Sequence, residues 1–233
     1  MTRDKLKDEA YFDNYLKANI SLLGKIEEGL EKAQKEGDKD KEERHFSAKI
    51  NLEFRLLKAL YSAGKPIDEI KRLFEDLLND FPAFWGEHSS IYDAYDLLAL
   101  AILFRTGKEE LGGIFSLLDS TGRNDALTDF YRKYITEGIV EAKGKTSHGY
   151  PYDNLLAIAS GGAAVRPLQL KHYLQKDWYK GHKQAFWHNL HKNDAAYFGY
   201  WSFEAGAVAK ILGIDDGSLK DVPYYPYDLV HYC

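Results

Sequence analysis

Through the first third of the chain, apolar residues recur three and four positions apart, the spacing that gathers side chains on one helical face. From Leu6 to Glu36 the recurring positions are Phe12, Tyr15, Leu16, Leu22, Leu23, Ile26 and Leu30. Gly37-Asp38-Lys39-Asp40 interrupts them and offers an N-cap to a second helix, which runs to about Ser62. Phe46, Ile50, Phe54, Leu57, Leu60 and Tyr61 line its face. Gly64 is placed to stop it, and Pro66 to open a third helix whose stripe of Ile67, Ile70, Leu73, Phe74, Leu77 and Leu78 ends before Phe81-Pro82. A fourth, from about Ser89 to Phe104, is apolar on more of its circumference and is predicted to be central. Lys108 to Leu118 reads as a shorter helix weakened by Gly112-Gly113, and Ser120–Asn124 as a turn.

The second half is richer in Tyr, Trp, His and Gly and poorer in Glu. Helices are expected over Asp125–Ile139, Asp153–Ser160, Pro167–Leu174, Lys183–His191 and Asp194–Leu212, with a loop over Ala142–Pro151 and Gly213 closing the last helix. No run alternates polar and apolar residues as a half-buried strand would. The expected class is all-α, an antiparallel helical bundle in two contiguous halves, 1–124 and 125–233.

Composition and charge narrow the functions open to such a bundle. Met1–Glu9 is polar, which predicts no secretory leader, and the run Leu97–Phe104 is too short to span a bilayer. The single cysteine, Cys233, is the last residue, so it makes no internal disulfide and lacks the three following residues that prenylation requires. The net charge of −5 is uneven: residues 1–125 carry 19 Lys and Arg against 25 Asp and Glu, and residues 126–233 carry 12 against 11. An acidic first half repels phosphate backbones, so direct nucleic-acid binding is not expected; it suits a basic protein partner.

No catalytic pattern stands out. His182, His188 and His191 are the densest group of possible metal ligands, and His188 and His191 would share a face of a helix. Asp177, Asp194 and Glu204 lie near enough to be proposed as further ligands, which defines a metal-dependent hydrolase as one alternative. Against it, the spacing is not that of metalloproteases, and Trp178, Phe186, Trp187 and Trp201 suggest imidazoles bonded inside an aromatic core. Glu204, an acid in a mostly apolar helix, reads either as a tuned general acid or as a buried carboxylate paired with Arg166 or a tyrosine hydroxyl. Phosphate-binding loops and serine elbows are absent, and no cofactor is implied. The best binding candidate is the acidic, aromatic stretch Glu87–Asp96. Within it Tyr92, Asp93 and Asp96 share a helical face near Glu87, and tyrosine beside carboxylate suits a basic surface. The plainer reading is that Ser89 or Ser90 caps the helix, with an acid favoured in its first turn.

Several strings in the second half resemble the C-terminal domain of the PoNi family of immunity proteins. They are Trp178-Tyr179-Lys180-Gly181-His182, Trp187-His188, Tyr197-Phe198-Gly199-Tyr200-Trp201-Ser202-Phe203-Glu204-Ala205, Ile214-Asp215-Asp216 and Tyr224-Tyr225-Pro226-Tyr227-Asp228-Leu229. The preceding helices, with Arg132 and Tyr134 near the boundary, resemble the family's N-terminal domain, so the likeness covers nearly the whole chain. The resemblance implies a cytoplasmic antidote to a PoNe-type DNase toxin, a protein resembling PD-(D/E)xK nucleases and delivered by polymorphic or type VI secretion systems. It implies an architectural role for the shared aromatic motif, with Tyr224, Tyr225, Tyr227 and Asp228 pinning the tail. A homo-oligomeric structural protein, with a homodimer as its simplest form, is the remaining alternative.

Overall fold

The computed structural model describes residues 1–85, 90–193 and 195–233. Glu87 and Asp194 lie outside the described residues, as does Ser89, the expected start of the fourth helix. The chain is all-α, with no strand among the described residues. The helices are α1 (Glu9–Glu36), α2 (Lys39–Ser62), α3 (Ile67–Phe84), α4 (Ile91–Phe104), α5 (Gly112–Ser120), α6 (Ala126–Glu137), α7 (Tyr152–Ser160), α8 (Arg166–His172), α9 (Tyr179–Gly181), α10 (Phe203–Leu212) and α11 (Tyr227–Val230). A π-helical turn, Tyr173–Trp178, joins α8 to α9. No helix among the described residues is long and apolar enough to cross a membrane.

The chain divides into two compact units, one of Met1–Glu87 with Asn189–Tyr200, the other of His88–His188 with Trp201–Cys233. In the first unit, Asp8 caps α1 by accepting from Tyr11 N–H, and Gly37, at φ +69°, closes it. Asp38 then caps α2 through Lys41 N–H. This two-residue connection folds α1 and α2 back on each other as a hairpin. Phe12, Leu57, Ile70, Phe74, Leu77 and Phe81 form the core between α1, α2 and α3. Leu22 does not join it and is 47% exposed. At 100° per residue it stands about 80° round the helix from Phe12, at the edge of the stripe. α3 runs through Phe81 and Pro82, where the sequence pattern stopped. Pro82 lies in the last turn, where it forfeits one backbone bond of the ladder, and burial of Phe81 holds the turn in place.

In the second unit α4 is the central element, and Leu97 to Leu103 are all buried. Ser90 caps it through Tyr92 N–H. α5 begins at Gly112 instead of running through the glycine pair from Lys108. Asp125 caps α6 in a reciprocal pair with Thr128, and Gly138, at φ +69°, ends it. α10 packs along α4 with the small residues Ala205, Gly206, Ala207 and Ala209, so the two backbones approach closely. A Cβ at Gly206 would lie 2.7 Å from Cγ of Pro226 and 3.2 Å from Cγ2 of Val230. Only glycine admits the tail helix α11 at that distance.

One expected helix is absent and another is shortened. Residues 183–189 form successive turns, with Asn189 at φ +70°, and only Leu190–Lys192 makes a short 3-10 turn. The long helix from Asp194 is confined to α10, and Tyr197–Ser202 is non-helical. The cause is visible in the first unit's hydrogen bonds. Tyr11 Oη donates to the carbonyl of Tyr197 at 2.8 Å and accepts Tyr197 N–H at 2.9 Å. Ser62 Oγ donates to the carbonyl of Phe198 at 3.1 Å, and Tyr197 Oη to Asp4 Oδ2 at 2.6 Å. Backbone groups that a helix would pair internally are bound by α1, α2 and the N-terminal strap.

Gly206→Val is expected to lower stability by about 1–3 kcal/mol, because the proline ring against it cannot rotate away. Thermal unfolding with calorimetry checks this, and an unchanged midpoint would mean that α11 does not pack as described.

Candidate functional site

Two groups of residues bear on function: the acidic start of α4 and the aromatic, histidine-rich centre of the second unit. Tyr92, Asp93 and Asp96 share the N-terminal turns of α4, and all three are partly exposed. Tyr92 is committed inward. Its ring stacks on His148 at 4.1 Å with the planes 4° apart, and it touches the rings of Tyr152 and His182. One turn on, Tyr95 Oη donates to Asp125 Oδ2, the carboxylate that caps α6 and also accepts Ser147 N–H at 2.8 Å. Burial, then the Asp125 charge, keeps the Tyr95 phenol protonated far above the usual range. Of the acidic stretch, then, the aromatic member is a packing residue, and Asp93 and Asp96 are the carboxylates that reach solvent.

The centre of the second unit is a continuous polar chain inside an aromatic shell. Glu204 stands in the first turn of α10, where the helix dipole favours a carboxylate, and is 3% exposed. Trp178 Nε1–H donates to its Oε1 at 2.5 Å. Arg166, expected as its partner, instead donates to the carbonyl of Ala159 at 3.2 Å. The carbonyl of Trp178 lies 2.6 Å from His182 Nδ1, and Tyr152 Oη lies 2.9 Å from His182 Nε2. A carbonyl only accepts, so Nδ1 carries a proton and donates it there, and Nε2 pairs with the Tyr152 hydroxyl, which can donate or accept. Tyr131 Oη donates to the carbonyl of Glu204 at 3.2 Å. The phenols of Tyr131, Tyr152 and Tyr173 are all held well above the ordinary range, first by burial and then by the Glu204 charge.

The motif aromatics enclose this chain. Trp178 stacks on Trp187 at 5.4 Å and meets Tyr224 at 4.9 Å; Tyr179 stacks on His188 at 4.3 Å and on Tyr224 at 5.7 Å. Trp201 is buried beside Ser202, whose N–H donates to the carbonyl of Tyr224 at 2.8 Å. That bond holds Tyr224 at φ +71°, a strained conformation for an aromatic residue. Gly181 lies in the same shell, and a Cβ there would come within 2.6 Å of the Pro151 ring. The tail is held at three further points. Tyr225 Oη donates to Asp216 Oδ2 at 2.6 Å, His231 Nε2 lies 2.9 Å from Asp216 Oδ1, and the Tyr227 ring packs on His231 at 4.3 Å. Asp228 opens α11 on its exposed side. Lys210 Nζ, which the sequence pattern did not single out, donates to the carbonyls of Leu103 at 2.6 Å and Tyr232 at 3.2 Å.

The histidine group of the metal alternative is dispersed. His182 is enclosed by Trp178 and Tyr152, His188 stacks on Tyr179, and His191 Nδ1 lies 3.0 Å from Tyr200 Oη within the first unit. His188 and His191 do not share a helical face, because 183–189 is not helical. Asp177 accepts from Asn154 at 3.0 Å and from Tyr150 at 3.2 Å. Among the described residues no three His, Cys, Asp or Glu side chains converge as metal ligands.

The family model of the PoNe immunity protein (PoNi) N-terminal domain matches residues 3–115, and that of the C-terminal domain matches residues 123–229. The chain belongs to the PoNi family. The motif residues Trp178, Trp187, Trp201, Glu204 and Tyr224 all lie in the PoNi C-terminal match. No curated protein matches the chain. Among solved structures, the crystal structure of protein PA2201 from Pseudomonas aeruginosa superposes with a TM-score of 0.67 at 19% identity, covering 99% of this chain and 90% of that one. At that identity the likeness is one of fold.

Two outcomes follow from the buried chain and the tail anchor. Trp178→Phe leaves a buried carboxylate oxygen without its donor and should cost about 1.5–3 kcal/mol in denaturant unfolding. Glu204→Gln keeps an acceptor there and should cost less; the reverse order would contradict the assigned bond. Burial, with Arg105 nearby, lowers Lys210 to about 8 from its ordinary 10.5. The folded state therefore binds fewer protons than the unfolded one between those values, and its stability from this group rises with pH across that window. The stability difference between wild type and Lys210→Met should widen from pH 8 to 10.5, and a constant difference would contradict the lowered value.

Proposed function

We propose that the protein neutralises a PoNe-type nuclease toxin by binding it one-to-one and covering its DNA-binding or active-site cleft, without turning over a substrate. The family match across both domains carries this reading. The site chemistry supports it: Glu204 is tied to an indole, both ring nitrogens of His182 are bonded, and the surrounding phenols are held protonated. Groups engaged in this way suit a scaffold better than proton transfer to a substrate.

A nuclease needs a cationic groove for its phosphate backbone, and an inhibitor with surface carboxylates is complementary to it. In this proposal Asp93 and Asp96, with Glu87 ahead of them, border that groove, and the protein acts in the cytoplasm of a cell exposed to a type VI or polymorphic toxin. Co-expression with the nuclease encoded beside it should rescue growth, and failure to rescue would sink the proposal. Reversing the charge of Asp93 and Asp96 to lysine should slow association about tenfold in low salt and much less in high salt. Equal rates for both proteins would remove α4 from the contact.

A further inference from the structure

The acids of α3 are arranged differently from those of α4. Asp68, Glu69, Glu75 and Asp76 are exposed, Asp80 is partly exposed, and their separations of four, five and seven residues bring them onto one side of the helix. From Asp68 to Asp80 the row is about 18 Å long. Lys71 and Arg72 are the only cations on α3, so its outer side is a net anionic ridge.

Beneath the end of that ridge lies a carboxylate that the fold does not satisfy. Glu53 of α2 is 3% exposed and directed at α3. Its Oε1 holds Lys49 Nζ at 2.7 Å, and the same ammonium reaches Asp80 Oδ2 at 2.5 Å. Glu53 Oε2 has no hydrogen-bond partner. Asp80 and Asp76 both act on Glu53 as like charges, and the one ammonium is shared between Glu53 and Asp80. Leaving a buried carboxylate oxygen without a donor is costly, and proteins keep such groups where a partner or a reaction uses the charge. Burial in the seam between α2 and α3, with Asp80 and Asp76 nearby, raises the Glu53 carboxyl above its ordinary range, and a cation held over Asp76 and Asp80 would favour its charged form.

We infer that the outer face of α3, from Asp68 to Asp80 and backed by Glu53, is a docking surface for the cationic DNA groove of a nuclease. This rests on the immunity reading and adds to it a surface of the first unit. The surface offers carboxylates in a row where the groove expects phosphates in a row, and it carries no large exposed apolar side chain that would favour a hydrophobic partner. The bound groove supplies the missing countercharge to Asp76, Asp80 and Glu53.

The test uses the full-length chain and the catalytically inactivated nuclease encoded beside it, with affinity measured by titration calorimetry at low and high salt. The neutral variant Asp68→Asn, Glu69→Gln, Glu75→Gln, Asp76→Asn changes only exposed side chains, and circular dichroism confirms that it folds. It should bind about tenfold or more weakly in low salt, with a flatter salt dependence. Glu53→Gln, which keeps the shape of the side chain, should also weaken binding, and a DNA duplex should compete with the wild-type chain for the nuclease. If the wild-type chain does not bind the nuclease, the immunity reading falls and this inference with it. If the wild type binds and the α3 variant matches it in affinity and salt dependence, the α3 surface alone is overturned; if DNA does not compete, the α3 surface falls together with the covering of the DNA cleft, while binding itself stands.

Discussion

A carboxylate buried at the start of α10 organises the second unit. The helix dipole favours Glu204 there, and the Trp178 indole donates to it. That bond sets the position of Trp178, whose carbonyl in turn fixes the proton on His182 Nδ1, whose other nitrogen takes the hydroxyl of Tyr152. Three helical segments are thus joined by one polar chain: α10, the turn from α8 into α9, and α7. The aromatic shell of Trp187, Tyr179 and Tyr224 excludes water from it, which strengthens each bond and raises the cost of breaking any one. In the fold the residues that look chemically capable in the sequence are bonded to one another: the Glu204 carboxylate has an indole donor, both nitrogens of His182 are paired, and burial holds the phenols protonated.

Much of the helical framework was legible because its signals are local. Asp38 caps after the break at Gly37, Gly37 and Gly213 close helices in the left-handed conformation, and the apolar circumference of α4 places it at the centre, whereas the cap at Asp8 and the stop at Gly138 fall inside segments whose spacing reads as helix throughout. The failures share a physical cause. Residues 183–202 contain no strong breaker apart from Gly199, and their spacing suits a helix, yet Tyr11 and Ser62, far away in sequence, claim the backbone at Tyr197 and Phe198. A periodicity argument weighs a segment against itself and has no means of weighing it against α1. The resemblance to PoNi proteins rested on aromatic strings, and these are the residues that enclose Glu204, so the family is recognised by its scaffold.

The recognition surface is the part least visible in sequence. Tyr92 resembled a contact residue because it adjoins acids on an exposed turn, but its ring is stacked on His148. The acids of α3 drew no notice because charged residues on the outside of a helix are ordinary. What distinguishes them is a tertiary fact, the orphaned oxygen of Glu53 behind Asp80. A protein whose interior is spent on holding its shape must act through its outside.

That claim is tested most directly by titrating the DNase activity of the neighbouring nuclease with the purified chain. Stoichiometric binding predicts that inhibition is complete at one molecule per nuclease, and that nuclease recovered from the denatured complex regains full activity. Inhibition by far less than one equivalent, or nuclease left chemically altered after recovery, would show that the aromatic centre performs a reaction and would contradict the account.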